Sequence, residues 1–319
     1  MAQSNTPSES RLARRLAEGA FAFTAEITPP VSGSARVLLD KAMPLKGCVD
    51  AVNVTDGASA RVHMSSLASA AILAANGIEP VAQFTCRDRN RIALQSDLLG
   101  ASALGVRNIL VLTGDQPDTN EIPPPKPVFD MDSRELIHIA AKMRDGLALP
   151  SGREIVSPPE LFIGAADMPI DPPPDWVPTG LIQKAEAGAQ FAQTQLCFDI
   201  EVVRRYMARL VDHGMADRVF MMIGIGPLAS ARSARWMRDK LYGVIMPDAI
   251  IERMEQAADA KAEGGRICAE LMQQLNEIPG VAGAHLMAPG NFAGIPGAVE
   301  LSGLRKVRTA PPFDIFQTR

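Results

Sequence analysis

The chain has 319 residues, of which 47% are hydrophobic and 21% charged, a composition typical of one large globular domain or two average ones. A net charge of −4 and a sequence pI near 5.7 argue against nucleic acid or an anionic membrane as a partner, because those ligands bind basic surfaces. No run of about 18 apolar residues occurs, so no membrane span is expected.

The four cysteines stand far apart and form no CxxC pair, which predicts reduced thiols rather than a disulfide framework or a zinc site. The four histidines show no metal-ligand spacing, so no metal site is expected. The polar N-terminus lacks the apolar segment of a secretion signal. Together these features predict a cytoplasmic protein.

Short apolar runs alternate with stretches of helical periodicity along the chain. The predicted strands are 21–27, 50–55, 80–85, 108–113, 161–166, 191–196, 219–225 and 282–287. Helices are predicted over 61–76, 90–104, 132–145, 181–188, 200–213, 229–240 and 248–276, with a short basic helix around 11–15.

Eight strands alternating with helices predict an α/β protein, a single (β/α)8 TIM barrel with extra helices and long loops at its C-terminal face. This domain is expected to span residues 1–319, with 1–18 as a polar N-terminal extension and 303–319 as a C-terminal tail. A doubly wound sheet is the alternative. Two proline-rich segments, 118–130 and 169–178, are predicted as long loops after the fourth and fifth strands.

Polar residues stand where the predicted strands end. Glu26 interrupts the first apolar run, although a buried and unpaired carboxylate costs several kcal/mol or becomes neutral. In a barrel, the carboxyl ends of the strands meet at one mouth, so Glu26 is predicted to point into that mouth. Taken singly, each of these residues is better explained as a cap or turn residue, and the pattern alone does not name a reaction. The other polar strand ends are Thr55–Asp56, Thr85–Asp88, Thr113–Asp115, Asp167, Thr194–Gln195 and His285.

Two glycine motifs follow predicted strands. GIGPLA (224–229) fits the dinucleotide-binding pattern only formally, since Pro227 takes the fourth position and no acidic residue closes a strand about 20 residues later. It predicts a tight turn in which the backbone comes close to a ligand. LTGDQP (112–117) places Asp115 after a glycine turn, either at the mouth or as the cap of the next turn.

Several segments, in order along the chain, resemble the methylenetetrahydrofolate reductase family. The long segment from Gln83 to Pro117 is most similar to the reductase half of bifunctional homocysteine methyltransferase/methylenetetrahydrofolate reductase proteins. The resemblance extends from about residue 20 to about residue 290. Its other segments are FTAEITPP, VNVTDGA, VFDMDS, KAEAGAQFAQTQLCFD and GIGPL.

The resemblance implies a barrel with FAD at its mouth that reduces 5,10-methylenetetrahydrofolate to 5-methyltetrahydrofolate. NADH or NADPH would reduce the flavin and leave before the folate enters, a ping-pong sequence. It also implies that Glu26 is the general acid that protonates the leaving amine, and burial would favour the protonated carboxyl that this role needs. The expected role is one-carbon metabolism, in methionine biosynthesis or methyl oxidation, and a homo-oligomer is expected.

The resemblance also implies roles for individual residues. Asp115 would be a second catalytic residue near flavin and pterin, Gln195 would bind the pterin, and Met237 stands near the position of a substrate-packing phenylalanine. Gln83 and Thr113 replace a histidine and an arginine of the family. The full set of expected flavin contacts is Thr55, Gln83, Thr85, Arg87, Asp88, Thr113, Gly114, Asp115, Ala165 and Lys184.

These replacements leave two alternatives open. The chain could be a flavin-independent or partner-dependent reductase of the same substrate, or a non-catalytic folate-binding barrel. Methylenetetrahydrofolate and NAD(P)H remain the expected small-molecule partners in the reductase interpretations.

Overall fold

The computed structural model of the protein describes residues 10–117 and 123–305. Eight parallel strands close into a barrel, each paired with its neighbours in sequence and the eighth paired with the first. This confirms the predicted (β/α)8 barrel and excludes a doubly wound sheet, which would be open. The strands are β1 (Ala22–Ile27), β2 (Ala51–Val54), β3 (Pro80–Thr85), β4 (Asn108–Leu112), β5 (Phe162–Asp167), β6 (Phe191–Leu196), β7 (Phe220–Ile225) and β8 (Val281–Leu286).

Helices surround the barrel and supply the outer half of its core. Their buried side chains pack with the outward-facing residues of the strands in one large apolar cluster. The helices are α1 (Arg11–Ala17), α2 (Ala35–Ala42), α3 (Ser66–Ala75), α4 (Arg91–Ala103), α5 (Ser133–Asp145), α6 (Thr179–Ala187), α7 (Ile200–Asp212), α8 (Ala231–Lys240), α9 (Asp248–Gln256), α10 (Ala260–Asn276) and α11 (Ile295–Ser302).

The predicted elements agree with this structure except in four helical segments. Helix α3 begins at Ser66, five residues later than predicted, and helix α11 was not predicted. Each strand boundary lies within one residue of its prediction. The helix predicted over 248–276 was wrong as a single element, because Asp259 caps α10 by accepting a hydrogen bond from the backbone of Ala262 and the chain turns there. Helix α2 was not predicted, since its eight residues carry only a short apolar stripe, Leu38 and Ala42.

Helix α1 closes the N-terminal end of the barrel. Leu12 and Leu16 are buried among the inward-facing residues at that end. The carboxylate of Glu79 accepts hydrogen bonds from the backbone of Arg11 and Leu12 at 2.9 and 2.8 Å, which satisfies free N–H groups of the first turn. Residues 10–18 of the predicted extension therefore pack as part of the barrel, while 1–9 and 306–319 lie outside the described residues.

The barrel interior changes from apolar to polar along its axis. At the end closed by α1 the inward residues are apolar, among them Phe162 and Phe191, whose rings stack at a centroid distance of 4.8 Å. Nearer the opposite end the inward positions carry polar side chains, which lead to the mouth. These buried polar residues are Thr24, Asn53, Gln83, Gln193 and His285.

The segments that leave the mouth are irregular. Residues 168–178 contain neither helix nor strand, which confirms the loop predicted after β5. Residues 123–131 are also irregular, and 118–122 lie outside the described residues. In the GIGPLA turn, a Cβ on Gly224 would lie 2.3 Å from the carbonyl oxygen of Thr194, so this glycine allows close approach of neighbouring strands.

Three further findings concern the whole described chain. All four cysteines are free, as predicted. No described helix combines the length and apolar character of a membrane span. Within residues 10–117 and 123–305, no three His, Cys, Asp or Glu side chains form a group that could hold a metal ion.

Candidate active site at the barrel mouth

Glu26 lies at the mouth, as predicted from its place near the end of β1. Nε2 of Gln83 donates a hydrogen bond of 2.7 Å to Oε2 of Glu26. Since β1 and β3 are not adjacent in the barrel, these side chains can meet only across its interior. The Glu26 side chain is 25% exposed, which leaves it accessible from the mouth.

His285 on β8 approaches the same carboxylate. Its Nε2 lies 3.7 Å from Oε2 of Glu26, and its Nδ1 lies 2.9 Å from Oγ1 of Thr24. Behind Thr24, the amides of Asn53 and Gln193 pair with each other across the barrel. Sequence analysis missed this amide pair, although polar residues two apart in predicted strands, such as Asn53 with Thr55, signal an inward polar face.

Asp56, directly after Thr55 in the chain, organises the rim beside β3. Its Oδ2 accepts hydrogen bonds from the backbone and hydroxyl of Thr85, at 2.9 and 3.0 Å, and an ion pair from Arg89. Its Oδ1 accepts a hydrogen bond of 3.1 Å from Ser66. The hydroxyl of Thr85 is therefore bound to protein, and Asp56 is a structural residue of the rim.

Arg87 and Asp88 form a bidentate ion pair at the end of β3. The Arg87 guanidinium donates to both carboxylate oxygens of Asp88, at 2.8 and 2.7 Å, and to the carbonyl of Gly57 at 2.9 Å. Arg87 is only 3% exposed. The hydrogen bond to Asp88, followed by the charges of Asp88, Asp56 and Asp115, raises the pKa of Arg87 above its ordinary value, so it stays a cation.

The Gly114 turn packs directly on Arg87. Gly114 has a φ of +93°, and a Cβ at this position would lie 3.0 Å from Cβ of Arg87. Asp115, the next residue, is exposed. Thr113 holds the turn to the start of α5, because its hydroxyl donates to Oγ of Ser133 at 3.1 Å. The structure thus brings Arg87, Asp88 and the 113–115 turn together on one side of the mouth.

Thr55 at the end of β2 carries a buried hydroxyl group without a partner. Its Oγ1 receives and donates no hydrogen bond within the described part of the chain, and the residue is only 6% exposed. Because buried hydroxyl groups are nearly always hydrogen-bonded in native proteins, this atom is a candidate ligand contact.

On the opposite side of the mouth, Lys184 and Asp167 are held by protein groups. Nζ of Lys184 donates to the carbonyl of Ala166 at 2.6 Å, and the carboxyl of Asp167 accepts a hydrogen bond from the hydroxyl of Tyr206. Burial raises the pKa of Asp167, against the opposing effects of Tyr206 and Lys184. Burial and the adjacent Asp167 also raise the pKa of Tyr206 well above its ordinary value.

Gln195 lies at a bulge where the pairing of β6 with β7 shifts register. Its Nε2 donates to the carbonyl of Tyr242 at 3.0 Å, and its Oε1 accepts from the backbone of Leu196 at 2.9 Å. These bonds fix the orientation of the amide while its side chain stays partly exposed.

The structure does not bring the remaining two candidates to the mouth surface. Ala165 is fully buried and packs in the core between strands and helices, on the face of β5 that points away from the barrel interior. Met237 on α8 is 2% exposed and lies in the same core.

The family model described as methylenetetrahydrofolate reductase matches residues 11–291 of this chain. The chain belongs to the methylenetetrahydrofolate reductase family. The match covers every strand of the barrel and every candidate residue named above, and it confirms the resemblance inferred from the sequence segments.

One solved structure similar to this reductase-family barrel is an uncharacterized protein from Clostridium thermocellum that binds two copies of 5-methyl-5,6,7,8-tetrahydrofolic acid. The likeness has a TM-score of 0.62 at 12% sequence identity and covers 91% of this chain and 97% of that one. It supports the fold. No curated protein sequence matches this chain.

A cavity of about 670 Å³ lies at the other end of the reductase-family barrel. It is lined by side chains of both charges from α1 and from the segments that lead into β2 and β3, including Arg11, Asp50 and Glu79. None of the candidate residues lines this cavity, because they lie at the carboxyl ends of the strands. The mouth is therefore the candidate active site.

Proposed function

We propose that this protein reduces 5,10-methylenetetrahydrofolate to 5-methyltetrahydrofolate with a hydride from NADH or NADPH, using bound FAD and Glu26 as general acid. The observation that carries this proposal is the Glu26 carboxyl group at the barrel mouth of a chain in the reductase family, contacted by Gln83 and facing His285.

Glu26 would supply the proton that opens the five-membered ring of the substrate. Its O–H bond breaks as an N–H bond forms on the leaving amine, and the electron pair of the breaking C–N bond goes to that nitrogen. The carbon is left electron-poor and able to accept a hydride. A positioned general acid contributes about 10²- to 10⁴-fold to the rate of such a step.

Gln195 and Asp115 would position the folate. The amide of Gln195 is held by two backbone groups and still has one hydrogen on Nε2 for a pterin acceptor. Asp115 is exposed beside the buried cation Arg87, so it can accept hydrogen bonds from N–H groups of the pterin.

The mouth fits a flavin at several positions. The buried hydroxyl of Thr55 lacks a partner in the described chain. Gly114 packs against Arg87, and Asp115 next to it is exposed. Thr55, Arg87 and the 113–115 turn would hold the cofactor. When bound, FAD would supply the hydride chemistry between the nicotinamide and the folate, while the protein supplies geometry and electrostatics.

The second candidate is a flavin-independent or partner-dependent reductase of the same substrate, or a non-catalytic folate-binding barrel. One observation favours it: six of the expected flavin contacts already bind protein groups. Arg87 and Asp88 bind each other, and Thr113 donates to Ser133. Gln83 donates to Glu26, Thr85 to Asp56 and Lys184 to the carbonyl of Ala166.

The test is a visible absorption spectrum of the purified protein after addition of FAD and desalting. Flavin bands that bleach with NADH or NADPH and return on addition of methylenetetrahydrofolate would support the first proposal. In Glu26→Gln, the flavin bands should still bleach with NADH or NADPH, but most of their recovery on addition of the folate should be lost. Glu252→Gln, on the exposed face of α9, is the control, and its flavin bands should recover at the parent rate. A protein that retains no flavin would favour the second candidate.

A further inference from the structure

Behind Glu26, the barrel interior holds hydrogen-bonded polar side chains that lead from a reciprocal amide pair through Thr24 to His285. Nδ2 of Asn53 donates to Oε1 of Gln193 at 2.6 Å, and Nε2 of Gln193 donates back to Oδ1 of Asn53 at 3.1 Å. The second hydrogen on Nε2 of Gln193 is donated to Oγ1 of Thr24 at 2.9 Å. Because an amide nitrogen donates and does not accept, the amide pair sets the direction of the bonds beyond it.

Thr24 links the amide pair to His285 and fixes which of the two atoms in that contact carries the hydrogen. Its oxygen already accepts from Gln193, and Nδ1 of His285 lies 2.9 Å away. Within residues 10–117 and 123–305, the hydroxyl of Thr24 has no other hydrogen-bond partner, so its single hydrogen is donated to Nδ1. Nδ1 is then unprotonated, and the neutral ring carries its hydrogen on Nε2.

The proton on Nε2 of His285 faces Glu26. Nε2 lies 3.7 Å from Oε2 of Glu26, a separation that can shorten when a ligand closes the site. Nε2 of Gln83 donates to the same oxygen at 2.7 Å. Oε2 therefore faces two N–H groups, whereas Oε1 receives no hydrogen bond from the described part of the chain.

We propose that the Asn53–Gln193 amide pair, acting through Thr24, fixes His285 as the Nε2–H tautomer and thereby restricts the acidic proton of Glu26 to Oε1. Asn53, Gln193 and Thr24 are then positioning residues for the acid of the proposed reductase reaction, on which this inference rests. When the O–H bond at Oε1 breaks and the proton joins the leaving amine, the two N–H groups at Oε2 stabilise the carboxylate that forms.

The tautomer is measured first, by ¹⁵N NMR of histidine-labelled protein without ligands. The chain has four histidines, and the signals of His285 are assigned by their loss in His285→Gln. The parent protein is expected to show Nδ1 unprotonated and Nε2 protonated. A protonated Nδ1 in the parent would overturn the inference, because Thr24 would then accept from His285.

Two variants test the cause of the tautomer. Thr24→Val removes the hydroxyl with little change in shape, and Asn53→Val with Gln193→Leu replaces the whole pair by apolar groups, so that no buried amide is left without a partner. Thr24→Val and the double variant should each give a mixture of His285 tautomers. Thr24→Ser retains a hydroxyl group and should keep the parent tautomer. Thr179→Val, on the surface of α6, is the control and should also keep it. A parent-like tautomer in both variants would contradict the proposed relay.

Kinetics separate this inference from the proposed function. Thr24→Val is expected to lower kcat for methylenetetrahydrofolate about tenfold with little change in KM, as for loss of one hydrogen bond to the reacting group, and Thr24→Ser should restore it. A changed tautomer with unchanged kcat would refute the positioning role. If the parent does not reduce the folate but its tautomer responds to Thr24 and Gln193, the proposed function fails and the relay to His285 stands.

Discussion

Gln83 and Glu26 meet across the barrel, with Nε2 of Gln83 2.7 Å from Oε2 of Glu26. The resemblance to the reductase family implies a histidine at the position of Gln83, so in this chain an amide contacts the proposed acid, Glu26. The amide hydrogen bond orients the carboxyl group without adding a titrating group of its own.

Replacing Gln83 by Leu should slow folate reduction about ten- to a hundredfold, the range for loss of a hydrogen bond to a charged group. The measurement is the single-turnover rate of methylenetetrahydrofolate reduction. Gln256→Leu, an exposed substitution in α9, is the control and should keep the parent rate. A parent rate in Gln83→Leu would show that Gln83 does not act on the acid.

Thr55→Val should have opposite effects on the free protein and on flavin retention. Removing a buried hydroxyl group without a partner should stabilise the apoprotein by about 1 kcal/mol, while a flavin that uses this hydroxyl should bind about fivefold more weakly. Urea unfolding and equilibrium dialysis with FAD measure the two effects.

Thr85→Val is the matched control, because its hydroxyl donates to Asp56 at 3.0 Å. This variant should destabilise the apoprotein, since the carboxylate of Asp56 loses a donor. If Thr55→Val also destabilises the apoprotein, the Thr55 hydroxyl has a partner in solution and is not a free ligand contact.

Gly114→Ala should destabilise the protein by about 1–3 kcal/mol, because it combines a left-handed backbone with close contact to Arg87. Gly105→Ala separates the two causes, since Gly105 has a φ of +80° and a Cβ at this position would meet no atom within 4 Å. Denaturant midpoints of both variants give the difference due to the contact. Equal losses would mean that Arg87 moves away without cost.

Asp167→Asn should alter how stability depends on pH. Burial raises the pKa of Asp167 in the folded state, so its contribution to stability is greatest at low pH and is lost as the pH rises through the folded-state pKa. The amide keeps an oxygen for Tyr206, and the variant should be more stable than the parent near neutral pH, with the gain vanishing in acid. Urea unfolding at about pH 3 and about pH 7 compares stability below and above the ordinary aspartate pKa of about 3.9.

Asp171→Asn provides a control of opposite sign. The hydrogen bond from Arg205 lowers the pKa of Asp171, so its small contribution is present near neutral pH and is lost as the pH falls. If the two variants change in the same direction with pH, the effect at Asp167 does not come from its buried charge.

The sequence predicted the strands and the place of Glu26 because both depend on local pattern: an apolar run of fixed length and a polar residue at its end. Asn53 and Gln193 could not be paired in this way, since their contact exists only after strands far apart in the chain enclose a common interior. The outward position of Ala165 follows from the alternation of β5, in which Phe162 points inward, whereas the resemblance had suggested a cofactor contact. The break before Asp259 required recognition of a capping residue inside a long helical pattern.

The polar interior has a consequence for the order of folding. The hydrogen bond between Asn53 and Gln193 joins residues 140 positions apart, and the contact between Thr24 and His285 joins residues 261 apart. The contact between Thr24 and His285 needs the first and last strands to come together, and the bond between Asn53 and Gln193 needs β2 and β6 to face each other across the interior. Both contacts are therefore expected to form late in folding. Interactions that form after the folding transition state chiefly slow unfolding. The polar side chains behind the candidate site are therefore also expected to lengthen the lifetime of the native barrel.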